Sequence, residues 1–137
     1  MDKLPISADS HVTEPPNCYI DFIDPAWRAK APHVVRDEKQ GDLYVIDGLT
    51  QRIPMGLIAG AGKPADQLRL DGSSYDDMHK GGWDAKIRLA DQDRDGVAAE
   101  LIYPSVGMLL CSHPDFDYKR ACFDAYKIGR ASCRERV

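Results

Sequence analysis

The stretch from Trp83 to Ser105 constrains the fold of this chain more than any other. Trp83, Ile87 and Ala90 recur at the i, i+4, i+7 spacing of one helix face, while Asp84, Lys86, Arg88 and Asp91 fall largely elsewhere. Gly96 supplies a C-terminal stop. Val97-Ala-Ala-Glu-Leu-Ile-Tyr103 then reads as a buried parallel strand that ends at Pro104-Ser105, with Glu100 its one charged residue. A helix feeding such a strand is an α/β signal. The short apolar run Leu4 to Ala8 offers an earlier strand of the same kind.

The middle of the chain departs from that rhythm. Pro15 and Pro16 can start a short helix through Asn17 to Ile23, because proline lacks the N–H that a first turn leaves unused, and Asp24-Pro25 ends it. Val34 and Val35, then Leu43 to Ile46, bracket the polar Glu38 to Asp42. Asp47-Gly48 offers a second tight turn before Leu49 to Ile53, which predicts a small antiparallel hairpin or meander. Gly56 to Pro64 and Lys80-Gly-Gly82 read as loops. A phosphate-binding loop needs a glycine five residues before Gly62-Lys63 and a hydroxyl after it. Leu57 and Pro64 stand there, so nucleotide binding is not supported. Ser105 likewise lacks the Gly-x-Ser-x-Gly surroundings of a hydrolase nucleophile.

The residues with chemistry to offer follow the first strand, in Ala8-Asp9-Ser10-His11-Val12-Thr13-Glu14-Pro15-Pro16. Side chains alternate along a strand, so Ser7, Asp9 and His11 are expected on one side and Ile6 and Ala8 on the other. A carboxylate oxygen with an imidazole nitrogen suits zinc, manganese or ferrous iron better than calcium. The plainer reading is a turn aspartate capping local backbone beside a hydrogen-bonded histidine. Glu14 could reach the same site or favour the positive end of the helix beginning at Pro15, and the second use is preferred. His33, His79 and His113 read as loop residues. His113 is the best placed of them, since its loop follows the second strand.

Three blocks carry a resemblance to a known family. The segment from Ile6 to Pro16, the segment from Leu89 to Ser105 and Arg120-Ala-Cys-Phe-Asp-Ala-Tyr126, with the weaker Trp27 to Pro32, resemble in order the start of the amidohydrolase-related family. That family comprises metal-dependent hydrolases and aminocarboxymuconate-semialdehyde-type decarboxylases. The resemblance implies a truncated (β/α)8 TIM barrel: its first two strand–helix units, with the hairpin inserted between them. It also implies a divalent metal, zinc first and manganese or iron as alternatives, held by Asp9 and His11 with later-strand residues. Glu14, Pro104, Ser105 and His113 would border the substrate, with the structural reading of Pro104-Ser105, a proline ending the strand, weighing at least equally. Asp9 departs from the commoner His-x-His form. The implied activity is hydrolysis of a small organic substrate, with decarboxylation as the alternative and a homo-oligomeric parent enzyme. The fragment alone is expected to be inactive, weakly stable and prone to association. A non-catalytic α+β binding module is the rival from another class.

Residues 128–137, Ile-Gly-Arg-Ala-Ser-Cys-Arg-Glu-Arg-Val, back-translate to ATC GGA AGA GCG TCG TGT AGG GAA AGA GTG, which resembles a short-read sequencing adapter. Residues 1–127 are therefore expected to be the native part and 128–137 a translated scar. A complete barrel needs about 250 residues, against 137 here. The formal charge is −4, and the tail holds three Arg and one Glu, so the remainder carries −6. That balance gives no footprint for nucleic acid. No apolar run could span a bilayer or serve as a secretory signal, so a cytoplasmic location without a membrane partner is expected. Cys18, Cys111 and Cys122 are too few and too scattered for a disulfide framework and read as thiols. Cys122 falls at helical spacing with Tyr118, Ala121, Ala125 and Tyr126, which assigns it to packing.

Overall fold

The computed structural model describes residues 4–58, 60–69 and 71–134, and their side chains except at 57 and 129–134. Among these residues, five strands and four α-helices alternate with short 3-10 turns. In chain order they are β1 (Ile6–Val12), β2 (His33–Asp37), β3 (Gly41–Val45), β4 (Ile53–Pro54), α1 (Met55–Ile58), α2 (Ala85–Asp95), β5 (Ala99–Pro104), α3 (Ser105–Leu110) and α4 (Phe116–Arg134). The strands form two sheets: a parallel pair β1–β5 and an antiparallel meander β2–β3–β4. No closed barrel is present among the described residues. None of the described helices is long and apolar enough to cross a membrane.

The parallel pair forms where the apolar runs were expected, with α2 as its crossover. Asp84 caps α2, its carboxylate accepting from the Lys86 and Ile87 amides at 2.9 and 3.1 Å. Gly96 ends the helix at φ +67°, a conformation that costs glycine nothing. The expected burial does not follow. No residue of α2 is buried, and Leu101 and Tyr103 on β5 are 57% and 46% exposed. One face of the pair meets α2 through Arg88 and Glu100, and the other face, with Ile6, His11, Leu101 and Tyr103, is uncovered.

The strict alternation expected along β1 is also broken. Ser7 pairs with Glu100 and Ser10 with Ile102, so β1 spends three steps where β5 spends two. That is a β-bulge at Ala8-Asp9. It brings Ser7 Oγ to 2.7 Å from Ser10 Oγ, on the helix side of the sheet, and separates Ser7 from Asp9 and His11.

The core lies under the meander, not under the parallel pair. Tyr19, Ile23, Tyr44, Ile46 and Met55 pack with Val106 and Leu110 of α3 and with Tyr118, Cys122 and Ala125 of α4. Cys122 thus packs as its spacing predicts, and burial pushes its thiol up to about 11. The helix expected from Asn17 to Ile23 is instead a series of turns, closed by Cys18 N–H to the Pro15 carbonyl and Ile23 N–H to the Tyr19 carbonyl. A further departure is α3, in what was expected to be loop. The last helix is longer than the block from Arg120 to Tyr126 and its backbone runs on through 128–134; residues 135–137 of the adapter-like segment lie outside the described residues.

Candidate functional site at the end of the first strand

Asp9 and His11 stand together on the uncovered face of the parallel pair. Asp9 Oδ1 is 3.3 Å from His11 Nε2, with the two side chains 84% and 40% exposed. His11 lies in register with Tyr103, and their ring centroids are 5.9 Å apart. The bulge re-aims Asp9 towards this face. The spacing can be tested against a metal: a tetrahedral ion with bonds of about 2.0–2.1 Å separates neighbouring donors by about 3.3–3.4 Å. Oxygen and nitrogen donors at 3.3 Å fit one edge of such a shell, and equally fit an ion pair. No group of three or more His, Cys, Asp or Glu that could hold a metal occurs among the described residues.

The other sequence candidates lie elsewhere. Glu14 is 1% exposed, and its carboxylate accepts from the Val106 and Gly107 amides at 3.0 and 2.9 Å and from the Tyr19 hydroxyl at 3.1 Å. Those amides are the second and third of α3, whose N-cap is Pro104, a residue with no side chain to cap it. Glu14 supplies the missing cap from the end of β1. It does serve a helix terminus, but that of α3, not one beginning at Pro15. Burial pushes its carboxyl above the ordinary range despite the bonds from Val106, Gly107 and Tyr19. Pro104 closes β5, and Ser105 opens α3 beside the Glu14 carboxylate.

His113 is buried rather than open to a cleft. Its Nδ1 accepts from the Asp115 amide at 3.1 Å, which leaves Nε2–H to donate to the Asp47 carbonyl at 2.9 Å. The ring therefore ties the loop after α3 to the connection between β3 and β4. Asp9 and His11 are brought together, Glu14 joins Pro104 and Ser105 in a buried junction, and His113 is apart from both.

Several polar groups here escaped sequence reading. Tyr44 donates to the Pro15 carbonyl at 3.2 Å and Tyr75 to the Glu14 carbonyl at 2.7 Å, so tyrosines from the meander and the following loop hold the chain leaving β1. Arg88 Nε bonds Glu100 at 2.6 Å while Arg88 Nη1 bonds the His11 carbonyl at 2.9 Å. Burial works to raise the Glu100 carboxyl, but Arg88, Gln92 and Ser10 together hold it below the ordinary range. The lone charge in β5 was a signal for such a partner. The tyrosines gave none, since a core tyrosine does not announce its acceptor. Compared with known families and with curated proteins, the chain matches none.

Proposed function

We propose that Asp9 and His11 are two ligands of a divalent metal, zinc first, at the carboxyl end of a parallel β/α unit of the metal-dependent amidohydrolase type. The observation that carries this reading is their 3.3 Å approach on an uncovered sheet face, at the strand end where α/β barrels place their chemistry. A bulge beneath Asp9 supports it, because bulges recur where a side chain must be re-aimed at a site. In a truncated TIM barrel the uncovered face carrying Ile6 and Leu101 would be the barrel interior. When bound, the ion lowers the pKa of a coordinated water and polarises a carbonyl, the chemistry of hydrolysis of a small organic substrate. Asp9 and His11 hold and orient that centre, and Tyr103 walls it on one side. Glu14 ties the chain leaving that strand to α3 and Tyr19.

Two protein donors leave an ion mostly hydrated, so this chain is expected to bind zinc weakly and to show no turnover. Zinc titrated into isotope-labelled protein should shift the His11 ring resonances and the neighbouring Ser10 and Val12 amides in fast exchange; Asp9→Asn should abolish both responses, and His11→Gln the amide response. A zinc response that persists unchanged in both variants defeats the reading.

A further inference from the structure

On the helix side of the sheet lies a cleft of about 240 Å³, with His79, Gly81, Arg88, Asp91, Gln92 and Glu100 in its wall. His79 stands just before the 3-10 turn Lys80–Gly82, and Asp91 lies in α2. His79 Nε2 is 2.6 Å from Asp91 Oδ2, at the short end for a nitrogen–carboxylate bond. That bond is the first cause holding the Asp91 carboxyl below its ordinary range, with Arg94 adding to it.

A second observation shows what this pair, with side chains 46% and 22% exposed, packs against. Gly81 is buried, and a Cβ there would overlap Asp91 Oδ2 and come within 3.0 Å of the His79 ring. The pair occupies the space that a side chain at Gly81 would fill. A third concerns what the turn holds. The Gly82 carbonyl accepts from the Thr13 amide at 2.9 Å. The Gly81 carbonyl accepts from Arg88 Nη1 at 3.3 Å, the nitrogen that also bonds the His11 carbonyl. A closed circuit thus runs from α2 through Asp91 and His79 to the turn, on to the end of β1, and back through Arg88.

We propose that His79 and Asp91 form a clasp that fixes the Lys80–Gly82 turn, and through it the end of β1, with a setting that follows the protonation of His79. They are positioning residues for the Asp9–His11 pair. That consequence rests on the metal-site reading; the mechanical coupling does not. With His79 protonated, the contact joins opposite charges. With it neutral, only a dipole donates to the carboxylate, and the turn is held less firmly. The other charged groups around the cleft are already matched: Arg88 to Glu100, and Arg94 to Asp91 and Asp95. Lys80 follows His79 in the chain, and His11 meets the cluster through its carbonyl.

The test is an NMR titration of the full chain from about pH 5 to 8, the range in which imidazoles change charge. It follows the His79 and His11 rings with the Thr13 and Gly82 amides. Both amides should move with the His79 midpoint. The movement should persist in His11→Gln and vanish in His79→Gln, which keeps a donor but cannot titrate. Gly81→Ala, which crowds the pair, should also uncouple the amides from His79. Amides that ignore His79 in the unmodified chain, or that still titrate in His79→Gln, overturn the clasp. A chain that binds zinc through Asp9 and His11 without this coupling loses the clasp alone. One that shows the coupling but ignores zinc loses the metal site alone.

Discussion

At the scale of single residues, the end of β1 depends on Glu14. Glu14→Ala leaves two α3 amides and the Tyr19 hydroxyl without their acceptor in a buried place, and should destabilise the protein by about 3 kcal/mol, read from urea unfolding. Glu14→Gln keeps an acceptor oxygen and should lose less. The sign of its pH dependence follows from a carboxyl raised in the folded state. Its contribution is complete below the unfolded value of about 4.5 and declines as pH rises through the folded one. The stability of the unmodified chain relative to Glu14→Gln should therefore fall from acid towards neutral pH, and a flat difference would contradict it. Asp9 and His11 were legible as neighbours because strand alternation is local. The partner of Glu14 was not, since the amides it caps lie 92 and 93 positions away.

At the scale of elements, α2 was readable and α3 was not. The stop of α2 at Gly96 and its Ile87–Ala90 spacing are local, but its start was read too early: Trp83, expected on the helix face, lies before it, and Asp84 caps a helix that opens at Ala85. By contrast, α3 has Pro104 at its N-cap and Gly107 inside six residues, and it is held by a carboxylate from the segment just after β1. Replacing Asp84 with Ala should cost about 1 kcal/mol of stability. The Arg88–Glu100 pair joins α2, β5 and, through the His11 carbonyl, β1, with side chains 17% and 14% exposed. Arg88→Ala should destabilise by about 2 kcal/mol, below the fully buried range because water still reaches the pair. Its effect should grow as pH rises from below the ordinary carboxylate range through it, because Glu100, held low in the folded state, is then charged without its guanidinium partner. Denaturant melts across that range check both the size and the trend.

At the scale of the whole molecule, two sheets have unequal support. The meander shares a core with α3 and α4, whereas the parallel pair is covered on one face only, leaving Leu4, Ile6, Leu101 and Tyr103 between 46% and 67% exposed. Among the described residues each of its strands also has an edge paired with no other strand, which invites pairing with other chains. Concentration-dependent association is expected, and Leu101→Lys should reduce it without lowering the melting temperature. Sedimentation at increasing concentration decides: a strictly monomeric unmodified chain would count against this view of the open face.

The sequence by itself determined the local pieces: the two parallel strands and their crossover helix, the antiparallel excursion, the packing role of Cys122, and the proximity of Asp9 to His11. Each depends on periodicity or caps within a few residues. Tertiary structure alone decided that the core sits under the excursion, that a bulge re-aims Asp9, that Glu14 caps α3, and that His79 meets Asp91 over Gly81. These follow from contacts between segments distant in the chain or from an absent side chain, where chain closure and burial, rather than local preference, set the outcome.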